Sequence, residues 1–115
     1  MNVAIVRGRL SSDPRLTTLE SGDVLVRYEV TVAHEDAAAD SVPVAWLGAE
    51  AQAPNDELGR GDQVVVVGRV RRRWYRPSAG PSRSTTEVVA TTVVSASDRR
   101  RVRAALTRAT NAITG

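Results

Sequence analysis

The 115-residue sequence has no cysteine, no lysine and no phenylalanine. Without cysteine there are no disulfides and no thiolate metal or catalytic sites, which fits a cytoplasmic protein. Without lysine there is no Gly-x-x-x-x-Gly-Lys-Ser/Thr phosphate loop. Histidine occurs once, at His34, in the acidic stretch from His34 to Asp40. Glu35, Asp36 and Asp40 share that stretch, but no second histidine or cysteine completes a metal site, so a surface histidine is expected. No serine or threonine is spaced to His34 as a nucleophile would be. No enzyme and no cofactor are therefore expected. No run of about 18 apolar residues is present, so no membrane span is expected. The segment Met1–Leu10 lacks a basic region ahead of an apolar one, so no signal peptide is expected either. The length suits one hydrophobic core.

Arginine supplies all 16 positive charges, and it is unevenly placed. Residues 60–115 hold twelve arginines against Asp62, Glu87 and Asp98, a net of +9; residues 1–59 hold four arginines against ten acids, a net of −6. Basic charge gathered on one part of a domain attracts a polyanion, and it also occurs as a merely solvated face. The charge centres on Arg60 to Arg76. Four valines, Val64 to Val67, read as a strand buried on both faces. Beyond Gly68, strand alternation puts Arg69, Arg71, Arg73 and Tyr75 on one face and Val70, Arg72 and Trp74 on the other. Guanidinium groups suit phosphates and aromatic rings suit unstacked bases, so this finger is a candidate for single-stranded nucleic acid.

The rest of the chain reads as strands around that finger. Val3 to Leu10 is a strand, Ser11 to Pro14 breaks it, and Arg15 to Leu19 continues it after a bend. Val24 to Ala33 alternates, with Val26, Tyr28, Val30 and Val32 facing the core and Arg27, Glu29 and Thr31 facing water. Ser41 to Gly48 is a third strand, and Pro43 places it at an edge. Ala49 to Leu58 suits a short helix interrupted at Pro54. Pro77 to Pro81 is a hairpin tip between the long strand 63–76 and a last strand, Ser84 to Val94. There Thr85, Glu87, Val89, Thr91 and Val93 alternate against Thr86, Val88, Ala90, Thr92 and Val94. Ser95 to Asp98 offers a cap for a helix from about Asp98 to Ala112, with an apolar stripe of Val102, Ala105, Leu106, Ala109 and Ile113. The expected architecture is all-β: a five-stranded Greek-key barrel, the OB-fold, over residues 1–95, with a long basic β-hairpin and a C-terminal basic amphipathic α-helix over 96–115.

Residues 3–94 resemble the bacterial single-stranded-DNA-binding protein family. The resemblance rests on Arg60-Gly-Asp-Gln-Val, Gly68-Arg-Val-Arg-Arg-Arg-Trp-Tyr, Gly80 and Ser84-Thr-Thr-Glu-Val-Val89. Gly8-Arg-Leu10, Asp13-Pro14, Gly22 and Val26-Arg-Tyr-Glu-Val30 are similar to the family's opening half, and Leu47-Gly48 stands where it has an aromatic–glycine pair. The tail-less primosomal N protein is a related match. The resemblance implies an OB-fold assembled as a homodimer or homotetramer, and single-stranded DNA held on arginines and rings without sequence readout. Arg71 and Arg73 match its basic hairpin positions and Tyr75 its base-stacking tryptophan, with Trp74 beside it. Other stacking positions are lost: the second loop has no aromatic, a tryptophan position falls near Ser41, and a phenylalanine position is Leu47. The family's acidic tail ending in Pro-Phe has no counterpart, so an accessory or specialised paralogue is expected.

The candidate nucleic-acid-binding residues are Arg7, Arg9, Arg69, Arg71, Arg72, Arg73, Trp74, Tyr75 and Arg76. Each has a plainer alternative: edge-protecting charge for the hairpin arginines, subunit packing for Trp74 and Tyr75, solvated surface for Arg7 and Arg9. Trp46, on the Val42/Val44 face, reads as core. Two functions follow. One is sequence-independent single-stranded DNA binding in replication, repair or recombination, by a cytoplasmic, nucleoid-associated protein that also contacts replication or repair proteins. The other is an oligomeric interaction protein, primosome-like, with weak or lost DNA binding. Binding to RNA is a third, minor reading.

Overall fold

The valine run and its alternating neighbours do form strands, and the strands close on themselves. The computed structural model describes residues 1–48 and 58–115; the short helix expected from Ala49 lies outside them, apart from Leu58. The elements are β1 (Ala4–Leu10), β2 (Arg15–Thr18), β3 (Val24–Val32), β4 (Asp40–Leu47), β5 (Gln63–Tyr75), β6 (Arg83–Ser95) and α1 (Arg99–Thr114). The sheet order is β1-β5-β6-β4-β3-β2, and β1 also pairs with β3, closing a ring. Strands β1 and β2 share one side of β3: β2 takes Val24 to Arg27, and β1 takes Val30 and Thr31. They are thus the two halves of one bent strand, and the ring is a five-stranded OB-fold barrel. No helix among the described residues is long and apolar enough to cross a membrane.

Alternation fills the barrel. Val24, Val26, Tyr28 and Val30 of β3, Val44 and Trp46 of β4, Val64 and Val66 of β5 and Val88, Ala90 and Val93 of β6 share one buried core. Each large apolar side chain buried there contributes about 1.5–3 kcal/mol. Trp46 is therefore core, as its strand face implied. Pro43 stands opposite Glu29 of β3, one residue before the short parallel pairing of Val44 and Ala45 with Val88 and Val89. So β4 is an edge only over its first half: Pro43, which has no N–H to donate, sits just outside the stretch flanked on both sides.

The last strand departs from simple alternation. Val67 faces Thr92 and Gly68 faces Ala90, so Thr91 is an extra residue, a β-bulge. Its hydroxyl donates to the Val67 carbonyl at 3.0 Å. The bulge moves Val93 into the core beside Val88 and Ala90, whereas strict alternation would group it with Glu87 and Val89. Gly68 sits against this irregularity because a Cβ there would run into the Val89 carbonyl and lie 2.8 Å from the Ala90 Cα.

Helix α1 starts at Asp98, whose Oδ1 accepts from the Arg101 N–H at 3.1 Å. It docks on its own barrel, over the outer root of β5, with Ala105, Ala109 and Val67 in a second buried cluster that Val3 borders. The expected stripe is only half used: Leu106 is 39% and Ile113 52% exposed. Alanines let the helix backbone lie close to the sheet, which turns the longer side chains outward. Leu106→Asp should therefore cost only about 1 kcal/mol and leave the helix docked. Ala109→Asp should undock the helix and erase hydrogen-exchange protection of α1 while the barrel amides stay protected.

Candidate nucleic-acid interface

Inward-facing residues fix what lies outside. Val88 points into the core, so Glu87 points out; Val44 and Trp46 point in, so Ala45 between them points out. Cross-strand partners share a face. Arg71 opposes Glu87, Arg27 opposes Ala45 and Arg15 opposes Arg27. One outer surface thus runs from β2 across β3, β4 and β6 to β5.

Glu87 is the hub of that surface and is 1% exposed. Its Oε1 accepts from the Arg71 Nη2 at 2.6 Å and lies 3.4 Å from the Arg73 Nε, while Oε2 accepts from the Arg27 Nη1 at 3.5 Å. The three arginine side chains are 39–40% exposed. Three cations around one anion leave a net +2, held in register by a buried carboxylate and open to solvent on the far side. Such charge-assisted contacts fix guanidinium planes that would otherwise wander. The Nε atoms of Arg71 and Arg73 are buried without a hydrogen-bond partner among the described residues.

Outward along β5 the same face carries Tyr75, 42% exposed, with the Arg73 guanidinium carbon 5.5 Å from its ring centroid. The opposite face repeats the arrangement, with Arg72 6.0 Å from the ring centroid of Trp74, which is 66% exposed. Each ring is thus paired with a cation and has area left for a base. Arg69 is exposed on the Arg71 face, and the Arg76 Nε lies 3.5 Å from the Ser82 hydroxyl near the tip. Gly80 turns the tip with φ of 110°.

The structure brings together Arg69, Arg71, Arg73 and Tyr75 on one side of the finger and Arg72 and Trp74 on the other. Arg7 and Arg9 are elsewhere. They oppose Val65 and Gln63 of β5, and Arg7 lines a groove beside α1. The sequence reading missed Arg27 and Glu87 as site residues. Arg27 was visible only as a charged residue on a wet face, and Glu87 as one of just three acids in the basic half.

The model of the single-strand binding protein family matches residues 1–96. This chain belongs to the single-strand binding protein family. Its members similar to this chain include the single-stranded DNA-binding protein of Clostridium tetani, 30% identical over 96 residues, covering 78% of this chain and 66% of that protein. Single-stranded DNA-binding protein 2 of Clostridium acetobutylicum is 30% identical over 96 residues, covering 78% and 72%. Single-stranded DNA-binding protein 1 of Staphylococcus aureus is 30% identical over 99 residues, covering 81% and 64%. The chain thus spans about two thirds of the length of these single-strand binding relatives. Helix α1 begins beyond the stretch that the family model matches.

Proposed function

We propose that this protein binds single-stranded DNA without reading its sequence, the backbone lying on the Arg27, Arg71 and Arg73 surface and a base stacking on Tyr75. The observation that carries this reading is the Glu87-centred arginine cluster, which continues along one strand to an exposed ring. It faces outward on β3 and the β5–β6 hairpin, where OB-folds take oligonucleotides. Trp74, on the finger's other face, offers a second ring where the strand passes the tip. The proposed setting is DNA replication, repair or recombination in the cytoplasm, on the nucleoid, with the protein acting as a homodimer or homotetramer and in an accessory role.

One observation favours a second reading. Two of the four aromatic residues, Tyr28 and Trp46, are buried in the core. The stacking platform is therefore thin, which suits an oligomeric interaction protein with weak DNA binding.

Fluorescence titration with oligo(dT) separates the two, because the exposed Trp74 reports on the hairpin while Trp46 is shielded. Affinity should be modest and fall with salt at a log–log slope of about −0.7 per phosphate neutralised. Tyr75→Ala should weaken binding by about 1–3 kcal/mol with an unchanged melting temperature. A flat salt response, or duplex preferred to oligo(dT), would defeat the DNA-binding reading. Normal binding by Tyr75→Ala with an altered sedimentation mass would make the ring a subunit contact.

A further inference from the structure

The family accounts for the hairpin but not for α1, which carries five arginines, Arg99, Arg100, Arg101, Arg103 and Arg108, against none of its own acids. Between the helix, the end of β6 and β1 lies an open groove of about 790 Å³. Arg99 and Arg103, one helical turn apart, form one wall and Arg7 of β1 reaches it from the sheet. Thr107 and Asn111 continue the helix wall, and Leu106 lies along the same cleft. Among the described residues no carboxylate lines it. Asp98, the acid nearest in sequence, is engaged by Arg101 through its N–H at 3.1 Å and its Nε at 3.8 Å. Arg7, Arg99 and Arg103 form no ion pair among the described residues.

The cationic wall does not end there. A second groove of about 420 Å³ runs along β1 and is lined by both Arg7 and Arg9. Arg7 belongs to both grooves, so Arg9, Arg7, Arg99 and Arg103 form one continuous row from two elements distant in sequence. A row of guanidinium groups, with hydroxyl and amide groups beside it, suits a ligand whose negative charge repeats along a chain. A single small anion would use only one end of it.

We propose that the groove between α1 and β1 is a second seat for the phosphodiester backbone of single-stranded DNA, separate from the hairpin surface. The proposal rests on the DNA-binding reading above and extends it to a stretch outside the family match. A strand long enough to leave the hairpin would continue onto the helix side of the barrel, and a short one would not. The two arginines of β1 then act in binding, though not in the hairpin site.

The test compares the parent with Arg7→Ala/Arg99→Ala/Arg103→Ala on oligo(dT) of about 8 and about 40 nucleotides, the shorter lying within the range that one OB-fold occupies. All three residues are exposed, so a thermal melt should match the parent. Arg103→Glu alone serves as the second variant. The short oligonucleotide should bind all proteins alike. On the long one, the triple variant should lose about 2 from the salt slope. Between about 50 and 200 mM salt the parent's affinity should then fall about 20-fold more than the variant's. Arg103→Glu should weaken the long oligonucleotide selectively. An unchanged slope on the long oligonucleotide overturns the proposal while leaving the hairpin reading intact. So does an equal loss on both lengths, which would mean general attraction. A changed sedimentation mass with unchanged binding also overturns it, making the groove a contact between copies. If the parent binds neither oligonucleotide, the DNA-binding reading falls and this proposal with it.

Discussion

Replacing Arg71 and Arg73 together by alanine should remove most of the grip on single-stranded DNA and also cost about 2–3 kcal/mol of stability. The first effect follows from charge. The cluster falls from a net +2 to zero, since Glu87 then faces Arg27 alone across 3.5 Å. The salt slope should shrink by about 1.4, the share of two phosphates. The second effect follows from burial. Stripping partners from a buried ion costs about 3–5 kcal/mol, reduced here because the arginines are more than a third exposed and Arg27 remains. Adding Glu87→Ala to the double variant should restore stability to within about 1 kcal/mol of the parent, because no buried charge is left unpaired. That triple variant has Arg27 unopposed, so its affinity should lie between the double variant and the parent. Urea melts and oligo(dT) titrations of the three proteins give the order directly. A double variant as stable as the parent would show that Glu87 does not depend on the two arginines.

Gly68→Val should destabilise the protein by about 3 kcal/mol or more, at the top of the range for overpacking. The obstruction is backbone: the added Cβ meets the Val89 carbonyl and the Ala90 Cα, neither of which can rotate away. Relief requires β5 and β6 to separate beside the Thr91 bulge, inside the barrel at the root of the hairpin. The arginines of the outer face would then lose their alignment with Glu87 and Arg27. Oligo(dT) affinity should fall with stability even though residue 68 is buried between the strands. A melting temperature within a few degrees of the parent would mean that the strands can part there at little cost.

Much of this architecture was legible because it depends on neighbours in sequence. The valines of β5 are β-branched and contiguous, and the arginines beyond them alternate, so both the buried root and the two faces of the finger could be read from Val64 to Tyr75. The N-cap at Asp98 was equally local. The Glu87 hub was not, because it depends on strand order. Arg27 reaches Glu87 only because β4 lies between β3 and β6 and presents small Ala45 at the crossing. Periodicity within one strand carries no information about which strand is next but one. The face of Val93 was lost for a different reason. One extra residue at Thr91 inverts every face after it. In α1 the hydrophobic scale misled: Leu106 and Ile113 look like anchors, but contact distance favoured Ala105 and Ala109.

The pairing of β1 has a consequence for how the chain folds. Ala4 to Arg9 bond with Gly68 to Gln63, and only Arg9 and Leu10 have an earlier partner, on β3. During synthesis most of the first strand must wait for residues more than fifty positions away. Folding dominated by such distant contacts is slow, on the order of milliseconds to seconds. Throughout that wait the segment Ala-Ile-Val-Arg-Gly-Arg-Leu is a half-apolar strand with open edges, the kind that joins to copies of itself. Arg7 and Arg9 break its apolar run with charge, and Gly8 between them lowers its strand propensity. The two arginines should thus oppose aggregation of the nascent chain before the barrel exists.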